Sequence, residues 1–141
     1  MHVSRKVDYA MRALAHLAGG EDERVRISDL AVAIAVPQPF LAKVMRELVS
    51  HGLVRSQPGP HGGYALARES NAITFRDLVE AVDGPMQIVP CQADGDDTCI
   101  LIEYCSQIPI WDRIRIEMLS VLQGYTLDQV SALDLGAPLD R

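Results

Sequence analysis

"PQPFLAKVMRELVSHGLVRSQPGPHGGYALAR", residues 37–68, holds one helix and one hairpin in direct succession. Leu41, Val44, Met45, Leu48 and Val49 recur at the spacing of a helix with a single buried stripe. Pro37 and Pro39 suit its first turn and Gly52 its stop. Gln38, Phe40, Lys43, Arg46 and Glu47 fall off the stripe, toward other faces. The chain then reads as a strand over 53–56, a turn "QPGPHGG", and a second strand over 64–67.

Working outward, two more helices precede this stretch. In "SRKVDYAMRALAHLA", Val7, Ala10, Met11, Leu14 and Leu17 line one face, with Ser4 as N-cap and Gly19-Gly20 as stop. "ISDLAVAIAV" repeats the signature with Ser28 as cap and Leu30, Ala31 and Ile34 inside. Two short helices joined by a tight turn make a helix-turn-helix, and the hairpin that follows makes it a winged helix. "ITFRDLVEAVDG" adds a fourth helix, with Thr74 and Asp77 forming a capping box and Leu78, Val79 and Val82 buried. The predicted fold class is mainly α: a winged helix-turn-helix domain with a two-stranded wing, then a cysteine loop and a long C-terminal helix.

The geometry of such a domain nominates its DNA contacts. Gln38 at the start of the third helix is placed to pair an adenine edge, and Lys43 to meet phosphate. Arg46 either does the same or pairs with a neighbouring acid, and Ser28 offers its backbone N–H to phosphate. In each case a solvated face is the competing reading. The charge supports this assignment modestly: residues 1–68 hold nine Lys/Arg against six Asp/Glu, whereas residues 69–141 hold four against thirteen. No stretch approaches the roughly 18 apolar residues of a membrane span, and the N-terminus lacks a signal core, so a cytoplasmic protein is expected. No nucleophile and base pair or phosphate-cradling loop is legible, so catalysis is not expected.

All three cysteines, Cys91, Cys99 and Cys105, lie in "CQADGDDTCILIEYC". An odd number without a secretion signal argues against a disulfide framework. The gaps are too wide for the C-x2-C knuckles of structural zinc, and suit a larger object such as an iron-sulfur cluster. Three thiolates leave one ligand position to be filled from elsewhere. Oxidant-sensing thiols without metal, and cysteine as core filler, are the alternatives. Asp94, Asp96 and Asp97 within the loop are expected to face water. None of the four histidines has a spacing that favours ligation.

Beyond the loop, a helix is expected from about Pro109 to Gln123, stopped by Gly124. Trp111, Ile114, Met118, Val121 and Leu122 follow a near-heptad face that Ile110 and Leu119 widen. A face this broad packs either on its own winged domain or on a second copy. Thr126 and Gln129 box a short final helix "LDQVSAL" before a frayed tail.

"SRKVDYAMRAL", "FLAKVMRELVSHGLVRS", "GPHGGYALAR" and "ITFRDLVEAVDGP" resemble the Rrf2 family of winged-helix regulators, from Ser4 to about Val130. That family includes the iron-sulfur cluster regulator, the nitric-oxide-sensing repressor and an iron-responsive repressor. The resemblance implies a homodimeric transcriptional repressor that reads a palindromic operator in double-stranded DNA. It also implies a cluster, two-iron or four-iron, on Cys91, Cys99 and Cys105. The histidine that some relatives place three residues after the last cysteine is Ile108 here; others use a carboxylate from the partner's first helix, and Asp8 holds that position. A structural salt bridge is the competing role for Asp8. Where relatives commonly carry an arginine before the first wing glycine this chain has Pro58, which leaves Arg55 or His61 for the wing contact. The implied organisation is a DNA-binding domain over 1–86, a cluster-binding loop over 87–107, and a dimerisation helix with tail over 108–141. A thiol-redox regulator without a cluster, and an iron-sulfur carrier or interaction module on the same fold, remain the alternatives.

Overall fold

The computed structural model describes residues 2–20, 23–92 and 99–130. Among them are five α-helices, α1 (Arg5–Gly19), α2 (Ile27–Ala33), α3 (Gln38–Ser50), α4 (Phe75–Asp83) and α5 (Ile108–Gln123). One antiparallel pair, β1 (Val54–Gln57) and β2 (Gly63–Leu66), follows α3. The expected strands are each displaced by one residue, with Val54 opposite Leu66 and Gln57 opposite Gly63.

Local chemistry explains most helix ends. The Ser4 hydroxyl accepts from the Val7 N–H at 3.2 Å, and also donates to Asp83 at 2.9 Å, tying the start of α1 to the end of α4. Thr74 and Asp77 form the anticipated reciprocal capping box. α2 differs: its N-cap is Arg26, without a side-chain cap bond, and Ser28 lies inside the first turn. The reason is tertiary, because Val25 is bridged to Tyr64 of β2 by N–H to O bonds of 2.9 and 2.8 Å and the chain enters α2 directly from that pairing.

The core gathers Leu14, Leu30, Ile34, Leu41, Met45, Leu48, Leu53, Ile73 and Leu78, with no buried polar or charged residue among those described. Met11, Val49 and Val79, expected inside, are half-buried at its edge. After α5 the chain returns to this core. Phe75 N–H donates to the Tyr125 carbonyl at 3.0 Å and Leu127 N–H to the Ile73 carbonyl at 2.9 Å, so that Leu127 is buried. The final helix is a single 3-10 turn over Leu127–Gln129, boxed by Thr126 and Gln129 as expected. Residues 131–133 of "LDQVSAL" and the tail lie outside the described residues, as do Asp94, Asp96 and Asp97.

Candidate nucleic-acid interface and thiol loop

The axes of α2 and α3 turn through 111°, within the range of a helix-turn-helix. Burying Leu41, Val44, Met45 and Leu48 leaves Gln38, Lys43 and Arg46 exposed on α3. Among the described residues neither Lys43 nor Arg46 has an ion-pair partner, whereas Glu47 is met by Lys6 at 3.4 Å. Ser28 is exposed in the first turn of α2.

The wing is held rigidly to this head. A Cβ at Gly63 would stand 2.7 Å from the Val25 carbonyl oxygen, and one at Gly62 would overlap the Gln57 carbonyl, so both positions need glycine. Arg26 reaches across to donate to the Pro60 carbonyl. His61 is exposed at the tip and Arg55 is exposed on β1. Arg26 is a positioning residue that the sequence pattern did not single out.

The three cysteines are free and partly exposed. Cys91 sits in a 3-10 turn, Pro90–Gln92, whose Gln92 side chain accepts from Ile88 N–H at 2.8 Å and donates to Asp112 of α5 at 3.1 Å. Cys99 and Cys105 flank a second turn, Ile102–Tyr104: the Cys99 carbonyl accepts from Ile102 N–H at 3.1 Å, and Cys105 is the C-cap. Among the described residues no three His, Cys, Asp or Glu side chains converge as a metal-binding group. In kind and accessibility the soft thiolates suit the iron of a cluster, although the described residues of one chain form no ready-made group of three ligands.

Asp8 is gripped in its own helix. Arg12 donates to its two carboxylate oxygens at 3.1 and 2.6 Å, and also to the Ile34 carbonyl at 3.4 Å. Ile34 is the C-cap of α2. Arg12 therefore links Asp8 to the turn that launches α3. Its spacing of four from Asp8 was a signal available in the sequence.

The α5 face is divided. Leu119 is its buried residue, Met118 and Leu122 line a groove with Val7 and Val79, and Ile110, Ile116 and Val121 are exposed. No described helix is long and apolar enough to cross a membrane.

Comparison with known proteins agrees with this architecture. A relative from Aquifex aeolicus (strain VF5), assigned to the HTH-type transcriptional regulators, is 34% identical over 134 residues, covering 90% of this chain and 89% of its own length. The structure of T. potens IscR superposes with a TM-score of 0.70 at 25% identity, covering 91% of this chain and 84% of that one. CymR, the global cysteine regulator of B. subtilis, gives a TM-score of 0.67 at 25% identity, covering 91% and 94%. The Rrf2 family model, described as an iron-dependent transcriptional regulator, matches residues 3–132. The chain thus belongs to the Rrf2 family and is a winged-helix transcriptional regulator rather than an enzyme.

Proposed function

We propose that this protein is a cytoplasmic, homodimeric repressor whose hold on a palindromic operator is set by an iron-sulfur cluster. Cys91, Cys99 and Cys105 would hold the cluster, with Asp8 of the partner subunit as fourth donor. The observation that carries the reading is the path from Asp8 through Arg12 to the Ile34 carbonyl, which joins a candidate ligand to the turn that precedes the reading helix. When bound, such a cluster supplies an iron with one non-thiolate ligand, open to oxygen, nitric oxide or loss under iron starvation.

The chain's own residues do the rest. While Asp8 is engaged by Arg12, one guanidinium holds both the carboxylate and the end of α2. Drawing Asp8 away removes one of these partners and leaves Arg12 free to shift against the α2–α3 turn. Gln92 fastens the Cys91 turn to Asp112, so movement of the loop is felt by α5. A second copy on α5 would set the distance between two reading helices, and a change in that distance destroys the match to two half-sites. This assigns residues 1–86 to reading, 87–107 to sensing and 108–141 to pairing, with Gln38 on a base edge in the major groove, Lys43, Arg46 and Ser28 on phosphates, and Arg55 and His61 on the wing.

Protein purified without oxygen is expected to be brown, with matching iron and sulfide, and to lose colour as Cys99→Ser. Its affinity for a selected palindromic duplex should change on cluster loss. Colourless, iron-free protein after reconstitution would sink this reading. The partial exposure of three free thiols favours a second reading, a cluster-free thiol sensor, which predicts that peroxide alone changes DNA affinity. A carrier or interaction-module role draws no support from family membership.

A further inference from the structure

Phe40 is the third residue of α3 and is 56% exposed, although every other large apolar side chain in the first three turns of that helix is buried. Phe40 lies along a cleft between α1 and α3 whose other walls include Arg5, Lys6, Tyr9, Lys43 and Glu47. Lys6 is engaged with Glu47 at 3.4 Å and with the Val82 carbonyl at 3.1 Å. Among the described residues Arg5 and Lys43 have no ion-pair partner, so the aromatic ring shares its cleft with two cations that no carboxylate offsets.

That combination suits a duplex better than a protein surface. Cations at the rim of a reading helix meet phosphates, and the N-terminal residues of that helix meet base edges. In the major groove only one apolar group is presented by the bases, the 5-methyl of thymine. A large apolar side chain in the first turn of the reading helix therefore has one matching target.

We propose that Phe40 reads a thymine in each half-site by packing against its 5-methyl group, while Arg5 and Lys43 take flanking phosphates. This rests on α3 being the helix that enters the major groove.

The test starts by selecting preferred duplexes from a random pool with the intact protein, then replaces each thymine in turn by deoxyuridine, which removes only the methyl. One position per half-site should weaken wild-type binding about four-fold, the worth of one buried methyl. Phe40→Ala should bind the thymine and uracil duplexes equally, and Phe40→Leu should keep part of the discrimination. Arg5→Gln should lower affinity on all duplexes alike and flatten the salt dependence by about two counterions per dimer, one for each half-site. A selected duplex bound by wild type with indifference to every methyl would overturn the proposal. So would a methyl preference that Phe40→Ala retains, because the ring would then serve another contact, such as a second copy. Failure to recover any preferred duplex is a separate pattern: it removes the reading role of α3 and the Phe40 assignment with it.

Discussion

Between Val7 and Val82 the stripes of α1, α3 and α4 close on one another around an apolar core that α2 completes, and Leu14, Leu30, Leu41 and Leu48 are wholly buried. Along α5 the pattern is reversed: Leu119 is buried, but Ile110, Ile116 and Val121 are 62%, 55% and 59% exposed. The turn between Cys99 and Cys105 continues this, with Ile100, Leu101 and Tyr104 all open to solvent. The reading head satisfies its hydrophobic side chains within one chain. The arm does not, which is what the pairing role proposed for it requires.

The strongest way to break the contrast is to give the head a void. Leu41→Ala removes a fully buried side chain where α3 meets the rest of the core, and should lower the unfolding free energy by about 2–5 kcal/mol. Denaturant titration at fixed protein concentration measures it. A cost near zero would mean that the head is not the self-contained unit described.

Next in size is the wing. Gly63→Ala places a Cβ 2.7 Å from the Val25 carbonyl at φ +142°, and should cost about 1–3 kcal/mol, felt first as faster hydrogen exchange at the Tyr64 amide that bonds to Val25. Exchange unchanged at Tyr64 would show that the wing is not held through that pairing.

On the arm, the contrast is sharpened by charge. Ile116 is more than half exposed and lies outside the core cluster, so Ile116→Glu should change unfolding of the head little, yet weaken self-association about ten-fold or more, roughly 1.4 kcal/mol. Sedimentation across a concentration series reads it; unaltered association would move the pairing surface off this face of α5.

The same division decides what the sequence discloses. Ser4, Thr74 with Asp77, and Thr126 with Gln129 act over three residues, and each was legible because cap chemistry is local. The stripes of α1 and α3 were legible for the same reason. Ser28 misled because a single bridge between Val25 and Tyr64, residues far apart in sequence, starts α2 earlier than its cap chemistry suggests. The docking of Leu127 on Ile73 was equally hidden, since a short apolar turn carries no sign of which core it joins. For the thiols, residue type and spacing identify donors, but whether they converge depends on the loop's conformation and on whatever approaches it. Asp8 is the intermediate case: its bond to Arg12 follows from helical spacing, whereas the onward bond to Ile34 needs the packed turn.

The smallest effect lies inside the head, at two helix ends built alike. At the end of α3, Gly52 N–H donates to Val49 and Leu53 N–H to Leu48, a Schellman closure with Gly52 at φ +70°. At the end of α2, Ala35 N–H donates to Val32 and Val36 N–H to Ala31, the same closure with Ala35 at φ +54°. Glycine occupies this region freely, while a Cβ costs about 1–2 kcal/mol. Ala35 is exposed, so its methyl has little packing to offset that strain. Ala35→Gly should therefore stabilise the head, by about 0.5–1 kcal/mol once the greater freedom of glycine in the unfolded chain is subtracted. Gly52→Ala should do the opposite by about 1 kcal/mol, since nothing within 4 Å obstructs a new Cβ and only the backbone conformation resists. Paired unfolding curves decide it. If Ala35→Gly destabilises instead, the methyl is helping to fix the angle between α2 and α3, and the same variant should bind its operator less tightly.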